Sequence, residues 1–269
     1  MTQTVAVLGT GKIGEALLSG MIRAGWRPAN LLVTTRRPER AKELHDRYGV
    51  DSVSNSEAAE RADILILAVK PQDMGRLLDE LAAHVTADHL VISAAAGITT
   101  AFIEDRLTAS TPVVRVMPNT PVLVDEGMSV ISAGSHATTE HLASAEAIFG
   151  GVGKTLRVPE SQQDAATALS GSGPAYFYFL VEAMTDAGIL LGLPRAQAHD
   201  LIVQAAIGAA VMLRDSGEHP VKLREAVTSP AGTTISAIRE LENHGVRAAL
   251  IAALEAARDR SRELASGNG

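Results

Sequence analysis

The sequence predicts an α/β half built on a parallel sheet, followed by an all-α half. Three observations carry that expectation. Short, continuous apolar runs alternate with helical patterns from Thr4 to Val158, the order of βαβ units around a parallel sheet buried on both faces. The first run leads directly into Gly9-Thr10-Gly11-Lys12-Ile13-Gly14 and then a helix pattern. After Pro159 the strand signals stop, and residues 164–265 read as helices separated by Gly and Pro. The domains expected from this break are 1–160 and 161–269.

Thr4-Val5-Ala6-Val7-Leu8 is the first strand, and Ala16, Leu17, Gly20, Met21 and Ala24 recur at helical spacing behind it. Strand, G-x-G-x-x-G and helix together form the dinucleotide-binding fingerprint of a Rossmann-type domain. Gly9 serves the tight turn, Gly11 lets the backbone approach a pyrophosphate, and Gly14 lets the helix lie close to the strand. Leu31-Leu32-Val33-Thr34 is the second strand. A site for NAD places a carboxylate at its end, on the ribose 2′-hydroxyl. Here the chain reads Thr35-Arg36-Arg37, one hydroxyl and two guanidiniums, which suit a 2′-phosphate. The expected cofactor is therefore NADP, with NADPH preferred over NADH.

Val53 to Ser56 reads as a short strand whose end, Asn55 or Ser56, caps the next helix. Asp63 to Val69 is the clearest buried strand and ends in Lys70-Pro71-Gln72. Leu90 to Ser93 precedes Ala94-Ala95-Ala96-Gly97, and Val113 to Met117 precedes Pro118-Asn119-Thr120-Pro121. Ligands of open parallel sheets bind at the carboxyl ends of the strands, so these three small or rigid loops should face one crevice. Val122-Leu123-Val124 and Met128 to Ile131 read as a closing pair of edge strands. A helix near 138–149 and a strand at Lys154 to Val158 complete this half.

In the second half, Tyr176 to Leu191 and Leu201 to Leu213 are apolar on most of their surface. A helix that is apolar nearly all round must be buried, and a segment of roughly 105 residues has too little interior to bury two of them. A second copy of the chain is the expected cover. Gly171-Ser172-Gly173-Pro174-Ala175 reads as a helix start with Pro174 in its first turn. Ser229-Pro230-Ala231-Gly232-Thr233-Thr234 reads as another, with Pro230 in the first turn and two hydroxyls beside open N–H groups able to hold a carboxylate.

Composition bounds the rest. The net charge is −7 without a basic run, which argues against nucleic acid. No apolar run reaches the ~18 residues of a bilayer span, so no membrane partner is expected. No cysteine is present, which excludes disulfides and thiolate metal sites and fits a reducing cytoplasm. The sequence runs straight into a strand pattern with no charged n-region and cleavage site, so no signal peptide is expected. No His, Asp and Glu cluster has metal-ligand spacing, so no metal is expected.

Gly9 to Gly14, Ala68-Val69-Lys70-Pro71-Gln72, Ser170-Gly171-Ser172-Gly173-Pro174-Ala175-Tyr176, Asp186-Ala187-Gly188 and Ser229 to Thr234 stand in this order along the whole chain. In this the sequence closely resembles the Δ1-pyrroline-5-carboxylate reductases, which perform the last step of proline biosynthesis. The resemblance implies a Rossmann domain, a helical domain that dimerises through interlocking helices, and decamers among the larger assemblies. It places Leu8, Gly9, Thr10, Gly11, Lys12 and Ile13 at the pyrophosphate, Arg36 near the 2′-phosphate and Asn55 near the adenosine, while Gly14, Thr35 and Arg37 join these cofactor residues from the reading of the loop and strand end given above. Ala68, Val69, Lys70 and Pro71, with Ala94, Ala95 and Ala96, lie along the cofactor. Met117, Asn119 and Pro121 fall near the nicotinamide, and Thr233 and Thr234 on the substrate; the local reading of the residues adds Ser229 and Gly232 to that carboxylate site and makes Ser172 and Gly173 a second small-residue wall of it. Two residues depart from the family pattern. Ile13 stands where many members have Met, and Ala231 where Gly is common; Ala231 is strained if its φ is positive and harmless in a helical turn.

The implied reaction reduces the cyclic imine pyrroline-5-carboxylate to proline. An iminium is already electrophilic, so positioning and electrostatics carry most of the work. Thr234, Thr233 or a water is the proton source. Lys70 and the Glu218-His219 pair are weaker acid candidates. The alternatives are another NADP-dependent reductase of imines or β-hydroxy acids, and a non-catalytic NADP-binding regulator. The helix lysine that hydroxy-acid enzymes of this plan use has no counterpart between Lys154 and Lys222.

Overall fold

The computed structural model describes residues 3–107 and 110–265. The chain forms two compact units. One runs through Ser172 and resumes at Ala257, and the other is Gly173–Ala256.

In the first unit the order is β1 (Val5–Leu8), α1 (Lys12–Arg23), β2 (Leu31–Thr34), α2 (Pro38–Tyr48), β3 (Asp51–Ser52), α3 (Asn55–Arg61), β4 (Ile64–Leu67), α4 (Pro71–Leu81), β5 (Leu90–Ser93), α5 (Thr100–Glu104), β6 (Val113–Pro118), β7 (Gly127–Ala133), α6 (Thr139–Phe149), β8 (Gly153–Arg157) and α7 (Gln163–Ala166). The strands form one sheet in the order β3-β2-β1-β4-β5-β6-β7-β8. Strands β1 to β6 are mutually parallel, β7 is antiparallel to β6, and β8 is parallel to β7. Alternate residues of β1 serve two cores. Val5 and Val7 pack with Leu17 and Met21 of α1, whereas Ala6 and Leu8 pack with Ala58 of α3 and Met74 and Leu78 of α4. Burial on both faces is the reason β1 is apolar at every position. Leu8 is level with Thr34 and with Leu67, and Leu67 with Ser93, so the carboxyl ends of four strands share one edge. The strand order reverses between β1 and β4, where a parallel sheet opens a ligand crevice.

Two elements differ from expectation. The third strand is Asp51–Ser52, and the cap of α3 is Ser54, whose Oγ accepts from Glu57 N at 3.1 Å. The cap thus lies one residue before Asn55, which opens the helix instead. Val122 to Val124 is not a strand but part of a 3₁₀ turn, Thr120–Val124. Pro121 near its start cannot donate to a sheet ladder, and Asp125 in the left-handed region (φ 62°) ends it. Strand β7 consequently lies inside the sheet and β8 forms the edge.

The chain from Glu160 to Gln163 is anchored rather than loose. The Glu160 carboxylate accepts from Thr100 N at 2.8 Å, from Thr100 Oγ1 and from the buried Arg115 guanidinium at 3.1 Å. Gln163 is fully buried and donates to Val130 O and Ser132 Oγ. A π-turn, Thr167–Gly171, follows α7.

The second unit comprises α8 (Gly173–Leu190), α9 (Arg195–Asp215), α10 (Pro220–Ala226), α11 (Thr233–Asn243) and the first half of α12 (Val246–Ala265). Helices α8 and α9 meet through small residues: a Cβ on Gly188 would lie 2.6 Å from Ala198 Cβ. Most of their large apolar side chains lie outside that seam. Phe177, Phe179, Leu201, Ile207 and Met212 are all more than half exposed in a single copy. The end of α12 returns to the first unit, where Ser261 Oγ donates to Asp164 at 2.7 Å and Gly97 lies beside Leu264.

Candidate functional site

The glycine-rich loop is held by the end of β2. Thr10 N and Oγ1 donate to Thr34 O at 3.2 and 3.1 Å, and Gly9 N donates to Thr34 Oγ1 at 3.3 Å. Gly9 has φ +90°, and a Cβ there would lie 2.6 Å from Val69 Cγ1. At Gly14 a Cβ would meet Gly9 O at 2.8 Å, so α1 sits hard against the loop. A Cβ at Gly11 would meet nothing within 4 Å. Gly11 is also the N-cap of α1 and offers no side-chain acceptor, so the first N–H groups of that helix are open to an anion.

The loop borders a cleft of about 680 Å³ between the ends of β1, β2 and β4. Among the residues expected from the sequence, Gly9, Thr10, Gly11, Thr35, Arg36, Arg37, Asn55, Ala68, Val69 and Lys70 line it. Lys12, Pro71 and Ala96 are exposed outside this lining, and Ile13 is half-buried. Leu8, Gly14 and Ala95 are buried in the packing behind it. Arg36 is 72 % exposed at the side chain and meets Asp73 Oδ2 through Nη2 at 3.2 Å. Arg37 is the N-cap of α2 and carries no ion pair among the described residues.

Several lining residues escaped the sequence reading. Asp73, Arg76, Leu77 and Glu80 of α4 face the cleft. Their i, i+3, i+4, i+7 spacing was the available signal. Asn55 Nδ2 donates to Glu80 Oε2 at 2.7 Å, which fixes the far wall. Arg40 also lines the cleft; its Nε donates to Thr10 O at 3.4 Å and its guanidinium pairs with Glu15 and with Glu43.

Glu15 gathers Arg40, Arg47 and the Tyr48 hydroxyl behind the loop. Burial pushes its carboxyl up, but hydrogen bonds from Arg40 and Tyr48 and the charges of Arg40 and Arg47 outweigh it and leave the carboxyl below the usual range. A depressed folded value stabilises the protein above the unfolded value of about 4.3 and loses that stabilisation as pH falls through the folded one. Glu15→Gln should therefore lower the thermal midpoint at neutral pH. The gap from the native chain should close below pH ~4. A gap that stays constant across an acid series would disprove the assignment.

A second cluster lies at the end of β6. Asn119 Oδ1 accepts from Met128 N at 2.8 Å, and its Nδ2 donates to Ser170 O at 3.0 Å. Ser172 N donates to Thr167 O at 2.9 Å, closing the π-turn. A Cβ at Gly171 would lie 3.0 Å from Met117 Cε. Met117, Asn119 and Ser172 are thus neighbours, and Pro121 opens the 3₁₀ turn beside them. π-turns are frequent at functional sites. Helix α8 starts at Gly173 with Pro174 in its first turn, as expected, and Ser172 and Gly173 continue a helical run that begins upstream at Gln163.

In the second unit the Ser229–Thr234 stretch is a β-turn followed by α11. Gly232 N donates to Ser229 O at 3.1 Å. Pro230 occupies the second turn position, not the first helical turn expected for it. Ala231 has φ +56°, so the strained alternative holds, at a cost of about 1 kcal/mol. Gly232 is the N-cap of α11 with no side-chain bond, and a Cβ there would overlap Ser229 Oγ. Thr233 is exposed and Thr234 half-buried in the first turn, beside N–H groups without helical partners. No cluster of three or more His, Asp or Glu able to hold a metal occurs among the described residues.

Residues 160–264 match the family model described as pyrroline-5-carboxylate reductase dimerisation, and residues 4–97 match that of NADP oxidoreductase, coenzyme F420-dependent. The chain is 48 % identical to the pyrroline-5-carboxylate reductase of Corynebacterium melassecola, over 97 % of this chain and 98 % of that one. It is 38 % identical to the Escherichia coli enzyme of the same name, over 98 % and 99 %. A solved pyrroline-5-carboxylate reductase from Coxiella burnetii superposes with a TM-score of 0.93 at 36 % identity, covering 98 % of this chain and 99 % of that one. The Plasmodium falciparum structure, solved with NADP bound, superposes with a TM-score of 0.87 at 28 % identity, covering 98 % of each. With a Rossmann unit of this strand order, a helical dimerisation region and relatives matched from end to end, the chain belongs to the pyrroline-5-carboxylate reductase family.

Proposed function

We propose that this chain reduces L-Δ1-pyrroline-5-carboxylate to L-proline with NADPH. The observation that carries the reading is the cleft at the carboxyl edge of the sheet, where the open face of Gly11 and the α1 N-terminus meet a β2 wall of Thr35, Arg36 and Arg37. An anionic pyrophosphate suits the first feature and a 2′-phosphate the second. The full-length relatives named above act under this name, and one of them holds NADP.

Bound NADPH supplies a hydride for the imine carbon. The chain's own residues bind, orient and protonate. The Gly9–Gly14 loop and α1 hold the pyrophosphate, while Arg36 and Arg37 hold the 2′-phosphate. Asn55 borders the adenosine, and Ala68 to Pro71 with Ala94 to Ala96 form the small wall along the cofactor. Met117, Asn119 and Pro121 border the nicotinamide, and Ser172 and Gly173 border the substrate ring. At the start of α11, N–H groups with Ser229 and Thr233 hold the substrate carboxylate. The imine π electrons settle on the ring nitrogen, which takes a proton from the Thr234 hydroxyl or a water it orients.

The exposed apolar faces of α8 and α9 support a homodimer. Helix Arg195–Asp215 is long and apolar enough to cross a membrane by length and composition. Its place within the dimerisation region favours a second copy as its cover. Dimers assembled into decamers, and a cytoplasmic location for a chain without cysteine, complete the reading.

The test is oxidation of NADPH and of NADH with pyrroline-5-carboxylate. The native chain should turn over and favour NADPH. Arg36→Ala should raise the KM for NADPH roughly 10- to 100-fold, the range of a lost charge-assisted bond, and leave the KM for NADH unchanged. No turnover with either cofactor would remove the activity, and equal effects on both would remove the role of Arg36.

A further inference from the structure

We propose that Asp73 sets how strongly the cleft discriminates between phosphorylated and unphosphorylated adenosine ribose, by competing with the 2′-phosphate for Arg36. The inference rests on the NADP reading above. Asp73 stands in the first turn of α4, where a carboxylate is favoured by the helix dipole. It is 26 % exposed at the side chain, so it is held more firmly than Arg36 at 72 %. The contact is a single one, Nη2 to Oδ2 at 3.2 Å. A phosphate taken in the paired-donor manner of a guanidinium uses two N–H groups in one plane. A fork that includes Nη2 cannot serve Asp73 and the phosphate alike, so in this inference Arg36 gives up the ion pair when it takes the phosphate.

The same carboxylate acts in the opposite sense on the unphosphorylated ribose. An acidic group in this corner of the crevice is what NAD sites use to accept from the 2′-hydroxyl. β2 ends without a carboxylate, and Asp73 brings one to the same cleft from α4. Arg37, without an ion pair among the described residues, stays available to the phosphate throughout. Asp73 thus narrows the preference without reversing it.

The test is calorimetric titration of the full chain with 2′,5′-ADP and 5′-AMP, ligands that differ only by the 2′-phosphate. Asp73→Asn should tighten 2′,5′-ADP about two- to fivefold, the range of an exposed ion pair, and leave 5′-AMP unchanged or weaker. The gain should fade at high salt. Asp73→Ala should act in the same direction, which guards against a new bond from the amide. In an Arg36→Ala background the gain should largely vanish. Equal native affinities for the two ligands would remove the NADP reading and the inference with it. A native preference that neither Asp73 variant raises, or a gain undiminished without Arg36, would overturn the inference alone.

Discussion

Thr234→Ala should lower kcat by about two orders of magnitude, the lower end of what a positioned proton donor contributes. Its thermal midpoint should stay within a few degrees of the native value. The half-buried Thr234 follows Thr233 in the first turn of α11, and Gly232 caps that helix without any side-chain bond. The hydroxyl therefore does no capping whose loss would unfold the turn. A residue that only held the carboxylate would raise the substrate KM at unchanged kcat; Thr233→Ala should show that pattern. Thr234→Ser, which keeps the hydroxyl, should recover most of the rate. A well-folded Thr234→Ala chain with native kcat would end the assignment and leave a water, positioned by other groups, as the proton source.

If the proposed homodimer forms, a Phe179→Asp, Ile207→Asp chain should be monomeric at concentrations where the native chain pairs. These side chains are 69 % and 52 % exposed in one copy. Burying a large apolar side chain is worth roughly 1.5–3 kcal/mol, so losing two of them from each copy weakens association by several orders of magnitude. Light scattering checks the mass, and activity as a function of concentration checks the consequence. In a single copy only Gly173, Thr185 and Gly188 of α8 and Ala198 of α9 are buried, so the helical unit should also melt earlier in the variant. A dimer of native stability would place the interface on other helices.

Much of this was legible because it is local. The glycine spacing after β1 and the continuous apolar strands follow from single-segment rules, and a cleft lies beside that glycine loop; of the three loops expected to share it, only the first contributes, through Lys70, while Ala94 to Gly97 and Met117 to Pro121 lie outside its lining. The parts that were not legible depend on distant partners. Arg115 reads as a charged residue in a strand, and only its pairing with Glu160, 45 positions away, explains its burial. Val122 to Val124 has strand composition, but Pro121 and the left-handed Asp125 turn it into a 3₁₀ segment with Leu123 and Val124 exposed. Asp73 sits in a helix face whose partner is a loop on another strand. The π-turn before α8 was not legible, because Gly-Ser-Gly-Pro-Ala reads as the start of a helix and gives no sign that helical chain precedes it. Ala231 was legible as a departure from the family pattern, and its positive φ turns that departure into strain.

The return of α12 to the first unit has a consequence for synthesis. Ser261 closes on Asp164 across 97 positions, and every residue of α8 to α11 lies between them. A ribosome making this chain releases the sheet first, then the apolar helices, and the closing contact only afterwards. Domains tend to fold as units in the order they emerge, but here the first unit gains this contact only once Ser261 has emerged. The apolar helices are thus exposed to other nascent copies before the unit that precedes them is complete.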